Sequence, residues 1–500
     1  MSSPKVVVIG LDSADRTLIS RWCDSGDLPV LRSIRDRGIS GVLTTPPGLG
    51  DDAVWASFYT GVSPGRHGRY YHRQLRPGTY AVDNFRDVRH EPFWNTLSRA
   101  GRRVAILDVP KCPLSKALNG LQVTDWLVHG RDHATDSCPS EVASDLLRRF
   151  GDDRTDRRPE YLCLTEQLPA TEHEAFVERL LDSTHKKTLG LLDLLKRDAW
   201  DLFLVVFKEA HCAAHQLWHL VDPTQSEHPA GAPSHSGDLV KRVYQALDRA
   251  IGEVLANVGT ESNVIVFSDL GMARNVTGEH LLDGILLRLE GSMHLSLWQR
   301  LQNLGKGSRH RHLERATAFV NRKLYRYRSA FQVEHNEISG AIRINVKGRE
   351  PQGRISSGPE FDAFVDHLVE DLLNLVNPDS GQAIVSDVVR TDKVFAGEQR
   401  NLLPDLFVVW NRTCSITAAA SPKIGELRVP SPRWRAGNHV SDGFFFSCGP
   451  SIPAGGSAGS LSIMDLAPTI GRLLGVSIPN VDGHCFLGFE SGQGGRMPST

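Results

Sequence analysis

The sequence predicts an α/β fold in which an open sheet carries the functional site at the carboxyl ends of its strands. Three short apolar runs, Val6–Leu11, Leu202–Phe207 and Val264–Ser268, are rich in β-branched and aromatic residues and are typical of strands covered on both faces. The segment from Glu172 to Lys196 has the periodicity of a helix that packs on such a sheet. Acidic or histidine residues follow each run, and ligands of open α/β sheets bind beyond these strand ends.

Length and composition limit the class of protein. At 500 residues the chain exceeds the usual size of one hydrophobic core, so we expect a large domain with an insertion, or two domains. The net charge of -1 predicts no nucleic-acid partner through bulk electrostatics. The most basic stretch, residues 289–328, also carries an interrupted apolar stripe, so we interpret its charges as solvated helix faces.

The N-terminus predicts a cytoplasmic protein. An apolar strand begins almost at once, without the basic region, long apolar segment and cleavage site of a signal peptide. No uncharged apolar run approaches the length of a membrane span, so we expect no membrane association. The 8 cysteines are scattered without a CxxC pair, which predicts reduced thiols.

The first strand and the segment after it supply two acidic candidates. Asp12 lies at the carboxyl end of the strand, where it is placed either as a metal ligand or as a helix N-cap. We expect helices at 16–26 and 28–37, and another at Ala53–Thr60 with Asp51 or Asp52 at its start. A helix N-terminus favours anions such as phosphate.

The stretch after the second strand holds a candidate metal site. Glu209, His211 and His215 follow Phe207 closely. If the chain turns into a helix there, His211 and His215 share one face and both imidazoles can bind one ion. A single HxxxH pattern is also compatible with two ordinary core or surface histidines. The position beyond a strand favours the metal site.

Four segments in chain order resemble one known family. They are VIGLDS near the N-terminus, WASFYTGVSPGRHG ending at Gly68, AGNHVSDGFFFSCGPSI around His439, and MDLAPTIGRLLGVSIPNVDG. They resemble the type I phosphodiesterase/nucleotide pyrophosphatase branch of the alkaline phosphatase superfamily. The resemblance implies a mostly parallel central sheet sandwiched by helices, with two metal ions at the carboxyl ends of the strands. It also implies hydrolysis of phosphate or related esters by a Ser or Thr nucleophile between the metals.

Carried over by position, the resemblance implies a metal-binding set of six side chains. Two aspartates and two histidines match the family pattern directly, namely Asp12, Asp269, His215 and His439.

Three positions depart from that pattern. His211 stands where the family usually has Asp, and Asp51 occupies the position of the Ser or Thr nucleophile. Leu270 replaces the His of the SDHG motif, which reads SDLG here, and leucine cannot coordinate a metal. The substitutions at 211 and 51 introduce new ligands and favour a retuned enzyme, whereas Leu270 favours a pseudoenzyme that only binds a ligand.

These departures predict two chemically unequal metal positions. An all-nitrogen site of His211, His215 and His439 suits zinc or another transition metal. An all-oxygen site of Asp12, Asp51 and Asp269 favours harder ions such as manganese, magnesium or ferrous iron. We therefore expect two divalent metal ions, zinc first, with manganese or iron as alternatives. A mixed-metal or single-metal centre is also compatible.

Two hydrolytic mechanisms follow from this set. Asp51 either attacks the ester to give an acyl phosphate, or it is a ligand and a metal-activated water attacks. Three clustered carboxylates repel one another unless a cation lies between them, which favours the second mechanism. A non-hydrolytic alternative is oxidative or lyase chemistry at iron on the same scaffold.

The expected substrate is a small anionic molecule. Lys111 follows the predicted strand at 103–109, and Lys208 and Glu209 follow the second apolar run, so all three are candidates for contacting it. The segment AIRINVKGREPQGR resembles one in the same family branch, and its Arg343, Asn345, Lys347 and Arg349 are further candidates for binding anions. The oligomeric state stays open.

The order of these segments predicts the division of the chain. Residues 1–270 form the first part of the core, 271–399 an inserted cap, 400–487 the return to the core, and 488–500 a flexible tail. The return begins with a strand at Asp405–Trp410.

Overall fold

The computed structural model describes residues 5–76, 78–84, 88–128, 134–152, 168–222, 238–291, 325–336, 338–413, 415–429 and 435–487. The predicted tail and most of the basic stretch, residues 292–324, lie outside the described residues. No helix within the described ranges has both the length and the apolar character needed to span a bilayer.

Strands and helices are interspersed along the described chain. The strands are β1 (Val6–Leu11), β2 (Ile39–Thr44), β3 (Arg73–Leu75), β4 (Val82–Asn84), β5 (Val104–Leu107), β6 (Gly120–Thr124), β7 (Asp136–Cys138), β8 (Leu202–Phe207), β9 (Asn263–Ser268), β10 (Gly271–Arg274), β11 (Ala330–Val333), β12 (Ser339–Ile344), β13 (Val385–Arg390), β14 (Leu406–Trp410), β15 (Ala418–Ser421), β16 (Gly425–Arg428), β17 (Gly437–Val440), β18 (Asp442–Cys448) and β19 (Gly456–Ser462). The helices are α1 (Arg16–Asp24), α2 (Pro29–Arg37), α3 (Asp51–Thr60), α4 (Pro64–His67), α5 (Phe93–Arg99), α6 (Glu141–Phe150), α7 (His173–Leu195), α8 (Glu209–Leu217), α9 (Asp238–Ala256), α10 (Glu279–Leu289), α11 (Pro359–Leu373), α12 (Thr391–Val394) and α13 (Leu466–Leu473).

The central sheet has nine strands in the order β19-β2-β18-β9-β1-β8-β5-β6-β7. Its middle is parallel, because β1 pairs in parallel with β8 and with β9, and β5 pairs in parallel with β8 and with β6. Strand β18 is antiparallel to β9 and β2, and β7 is antiparallel to β6. The predicted mostly parallel sheet is confirmed.

Alternate side chains of the central strands enter two separate hydrophobic cores. Val7 and Ile9 of β1 pack into the core that contains residues of α1, α7 and α9, whereas Val6 and Val8 pack into the core that contains residues of α3, α5 and α13. A period of two on strands that are buried throughout means that helices cover both faces of the sheet. The predicted sandwich is therefore confirmed, together with the strands at β1, β8 and β9.

A second sheet lies outside the core and has four antiparallel strands in the order β11-β12-β14-β13. The prediction that Asp405–Trp410 returns to the core is wrong, because Leu406–Trp410 pairs with β12 and β13 of this second sheet. The core resumes with β18, which pairs with β9. An apolar strand alone does not reveal which of two sheets it joins.

The predicted role of Arg343 and Arg349 in anion binding is also not supported. Arg343 donates to Glu350 Oε1 at 2.7 Å and Arg349 donates to both oxygens of Asp405 at 2.7 Å. Both guanidinium groups therefore serve ion pairs that hold the second sheet together.

A buried ion pair joins helix α7 to the carboxyl ends of the central strands. Lys187 Nζ lies 2.9 Å from Asp108 Oδ2 and donates to the carbonyl oxygens of Leu127 and Val206 at 2.9 and 2.7 Å. Asp108 also accepts the backbone N–H of Trp126 at 2.9 Å. Because both charges are fully buried, removing one would leave the other without its counter-charge.

We expect Lys187→Met to lower the free energy of unfolding by about 3–5 kcal/mol, since the Asp108 carboxylate would remain buried without its cation. Urea denaturation followed by circular dichroism measures the change. The control is Lys186→Met on the same helix, whose partly exposed pair with Asp182 should contribute less than about 1 kcal/mol. Equal effects of the two substitutions would contradict the structural role of the buried pair.

Candidate metal centre

Three parallel strands bring the candidate residues to one edge of the sheet. In the register of β1 with β8, Leu11 is opposite Phe207, and the next residue, Asp12, donates its N–H to Phe207 O at 2.8 Å. Strand β9 lies on the other side of β1 and is followed by Asp269, whose Oδ1 accepts the N–H of Ser13 at 2.8 Å. The three strand ends therefore meet at Asp12.

The predicted histidines form a compact group, here called the histidine triad: His211, His215 and His439. The helix predicted after β8 is present as α8, and it places His211 and His215 with ring centroids 4.5 Å apart. His439 comes from β17, which pairs with β10, and its ring lies 4.9 and 4.8 Å from the other two. All three side chains are buried, and one nitrogen from each lies within 4.8 Å of the others.

The Nδ1 atoms of His211 and His215 have hydrogen-bond partners that fix the orientation of the two rings. His211 Nδ1 lies 2.9 Å from Asp12 Oδ2, and His215 Nδ1 donates to the carbonyl oxygen of Gly437 at 2.8 Å. Carboxylates and carbonyls that hold one imidazole nitrogen leave the other to face a metal ion. The Nε2 atoms of His211 and His439 face each other at 3.3 Å.

Burial and neighbouring charges set the protonation of the triad. Burial lowers the pKa of His215 well below its usual value, and the Arg435 charge lowers it further. The pKa of His439 is also well below its usual value, through burial and the charge of His211. Burial alone would lower the pKa of His211, but the adjacent Asp12 carboxylate outweighs it and raises the pKa to about 9.

Asp12 contacts the triad at His211, and the charge of His211 acts on the other two predicted carboxylates, Asp51 and Asp269. Burial, with the charge of Asp12 next, raises the pKa of Asp269 well above its usual value, and burial with the charge of Asp52 raises that of Asp51. Asp269 Oδ2 is buried and has no hydrogen-bond partner among the described residues. Buried carboxylates that repel one another are stabilised by a cation, so this donor set fits a divalent metal ion.

The triad and the carboxylates differ in compactness. Within the described ranges, the histidine triad is the one group of three or more His, Cys, Asp or Glu side chains whose possible ligand atoms all lie within 4.8 Å of one another. The triad therefore fits one ion as it stands. Leu270 is fully buried in the core that contains residues of α3, so the substituted SDHG position contributes packing instead of a ligand.

Asp51 is the first residue of α3, as predicted, and it is held by a residue that the sequence did not indicate. Asn336 Nδ2, from the hairpin between β11 and β12 of the second sheet, donates to Asp51 Oδ1 at 3.1 Å. The approach needs glycine at position 50, because a Cβ there would lie 1.3 Å from Asn336 Nδ2. The two residues are 285 positions apart, and no local pattern links them.

Two arginines beside the triad were also not predicted. Arg435 Nη1 lies 2.9 Å from His215 Nε2, and Arg412 Nη2 donates to the main-chain oxygen of His439. Burial lowers the pKa of Arg412 to about 10. The short distance between Arg435 and His439 along the chain could have indicated that Arg435 lies near the triad. A basic residue beside a candidate metal ligand is not a pattern that predicts such a contact.

The three predicted substrate contacts have different surroundings. Arg69 donates to the main-chain oxygen of Lys111 at 3.0 Å and to Asp52 Oδ1 at 2.9 Å, which places Lys111 near the start of α3. Lys208 is buried at the start of α8. Glu209 instead accepts a hydrogen bond from Ser183 Oγ on α7 at 2.7 Å, because residues two apart on a helix point in different directions. The structure does not bring Glu209 to the triad.

Comparison with solved structures finds the same fold in enzymes of ester and phosphonate chemistry. Human ectonucleotide pyrophosphatase/phosphodiesterase 5 is 12% identical with a TM-score of 0.50, covering 97% of this chain and 98% of its own. The murine protein in complex with AMP is 13% identical with a TM-score of 0.51, covering 97% and 98%. Phosphonoacetate hydrolase from Sinorhizobium meliloti 1021 in complex with phosphonoformate is 12% identical with a TM-score of 0.54, covering 95% and 96%.

Sequence comparison gives the family. A search of curated proteins returns no match. The family model for type I phosphodiesterase / nucleotide pyrophosphatase matches residues 6–442, which is most of the chain. The protein therefore belongs to the type I phosphodiesterase/nucleotide pyrophosphatase family.

Proposed function

We propose that this protein is a metal-dependent hydrolase of a phosphate or related ester and that its substrate is a small anionic molecule. The observation that carries the proposal is the histidine triad, with two of its rings held from behind by Asp12 and Gly437. Family membership supports hydrolysis of phosphate esters. The solved structures support the fold alone, because they are only 12% identical to this chain.

The six candidate ligands form a nitrogen-rich and an oxygen-rich metal position. His211, His215 and His439 would hold a transition metal ion, zinc first. Asp12, Asp51 and Asp269 would supply negative charge and the ligands for a second divalent ion. A bound divalent ion supplies positive charge to the reacting phosphoryl group and lowers the pKa of water. Manganese and iron are the alternative metals.

We infer that Asp51 binds the ion and is not the nucleophile. Its side chain is fixed by Asn336, and burial beside Asp52 and Asp12 disfavours a second free negative charge. Asp52 instead stays ionised: burial opposes this, but contacts with His72 and Arg69 lower its pKa. The N-terminal N–H groups of α3 and the charge of Lys111 favour a substrate oxyanion next to Asp51.

Metal analysis of purified protein tests the centre directly. We expect bound divalent metal in the wild type, and we expect His211→Ala to weaken its binding by at least about 100-fold, since losing even an outer partner of a ligand typically costs roughly 10–100-fold. Inductively coupled plasma mass spectrometry gives the identity and number of ions per chain. His173→Ala, a buried histidine that binds Leu168 O outside the triad, is the control. Iron as the main metal would favour oxidative chemistry, and no metal above background would contradict the proposal.

Turnover of phosphate monoesters and diesters tests the role of Asp51. We expect Asp51→Asn to lower kcat by about 100-fold or more, because a carboxylate that would bind the metal ion is removed. We also expect acid-quenched wild-type protein to carry no hydroxylamine-labile phosphate. Labelled phosphate on Asp51 would show that it is the nucleophile, and full activity of Asp51→Asn would remove it from the site.

The hairpin contact makes a separate prediction. Asn336→Ala should lower kcat by about 10-fold with little change in thermal stability, because Asp51 loses the donor that orients it. Ser339→Ala is the matched control, since Ser339 Oγ anchors the same hairpin to Gly48 O at 2.6 Å without contacting Asp51. Equal losses of kcat in the two variants would indicate that Asn336 only docks the hairpin.

A further inference from the structure

The segment that carries Arg435 is fixed against the helix that carries His215. Ala436 N donates to His215 O at 2.7 Å, and Gly437 O accepts from His215 Nδ1 at 2.8 Å. Gly437 is required for this approach, because a Cβ there would lie 2.4 Å from Ala214 O. The backbone at 436–437 is therefore hydrogen-bonded to both the main-chain oxygen and Nδ1 of His215.

The side chain of Arg435 reaches the opposite side of the same imidazole. Arg435 Nη1 lies 2.9 Å from His215 Nε2, which carries the lone pair because Nδ1 donates its proton to Gly437 O. That lone pair can accept one hydrogen bond or bind one metal ion, and the guanidinium stays charged at all relevant pH values. A guanidinium at this position also repels a divalent cation.

We propose that Arg435 and a metal ion are alternative partners of His215 Nε2, and that the guanidinium displaced by the ion binds an oxyanion of the ester. The inference rests on the proposed function, since it needs both the ion and an anionic substrate. The anchored backbone keeps the displaced side chain at the rim of the triad. Arginine presents a planar fork of donors that matches phosphate oxygens, so the charge that opposes the empty site would assist the loaded one.

Zinc affinity tests the exchange without any need for activity. Competition against a chromophoric chelator measures the affinity for Zn²⁺ in the wild type, Arg435→Met, Arg435→Lys and Arg412→Met. Arg435→Met should bind zinc about 10-fold more tightly, because apparent affinity rises when the competing state is removed. Arg435→Lys keeps a charged donor and should stay within about 3-fold of the wild type.

Arg412→Met is the matched control for loss of a nearby charge. Arg412 donates to the main-chain oxygen of His439 and not to an imidazole nitrogen, so its loss should change zinc affinity by less than about 3-fold. Equal tightening in Arg412→Met and Arg435→Met would reduce the effect to general charge and overturn the exchange. Unchanged or weaker binding in Arg435→Met would overturn it too.

Kinetics with zinc saturating test the second half of the inference. For bis(p-nitrophenyl) phosphate and p-nitrophenyl phosphate, Arg435→Met should raise KM by about 10-fold, because a charge-assisted contact to the oxyanion is lost. An unchanged KM would overturn the contact with substrate. If zinc binds more tightly to Arg435→Met but no variant hydrolyses either ester, the exchange stands and the ester function fails. If no variant binds zinc, the metal centre fails and the inference with it.

Discussion

The parallel register of β1 with β8 and β9 is the constraint on which the rest of the site depends. It aligns three strand ends so that Asp12 lies between the helix that carries His211 and the loop that carries Asp269. A shift of one residue would turn the side chains of β1 to the opposite face and exchange the two cores. The hydrophobic alternation that fills both cores therefore also fixes the geometry of the candidate metal centre.

Burial makes the ionised forms of the carboxylates at this edge unfavourable unless a cation is bound. Asp51 and Asp269 have raised pKa values because water is excluded and because other carboxylates lie nearby. Elsewhere in the fold, the buried charges of Lys187 and Asp108 satisfy each other at 2.9 Å. Asp269 Oδ2 has no such partner in the described part of the chain. The contrast favours the strand ends as the place where a cation would bind.

The sequence predicted local features well and long-range ones poorly. The strands β1, β8 and β9 and the helix carrying His211 and His215 follow from periodicity, which is a property of neighbouring residues. The prediction for β14 failed because an apolar strand fits either sheet, and β14 joins the second one. Asn336 reaches Asp51 across 285 positions, and Arg349 is neutralised by Asp405. Such pairings depend on tertiary contacts that no local pattern encodes.

If the ligand positions implied by the family resemblance are carried over, the substitutions move negative charge within the site without changing its amount. The resemblance implies family carboxylates at the positions of Asp12, His211 and Asp269, whereas this chain has carboxylates at Asp12, Asp51 and Asp269. The count is three in both cases, but one carboxylate has left the helix after β8 and appears at the N-terminus of α3. Loss of the ligand set alone would leave fewer carboxylates and does not account for the one at position 51. The exchange instead separates a nitrogen-rich triad from its surrounding carboxylates, which favours a centre retuned for a transition metal.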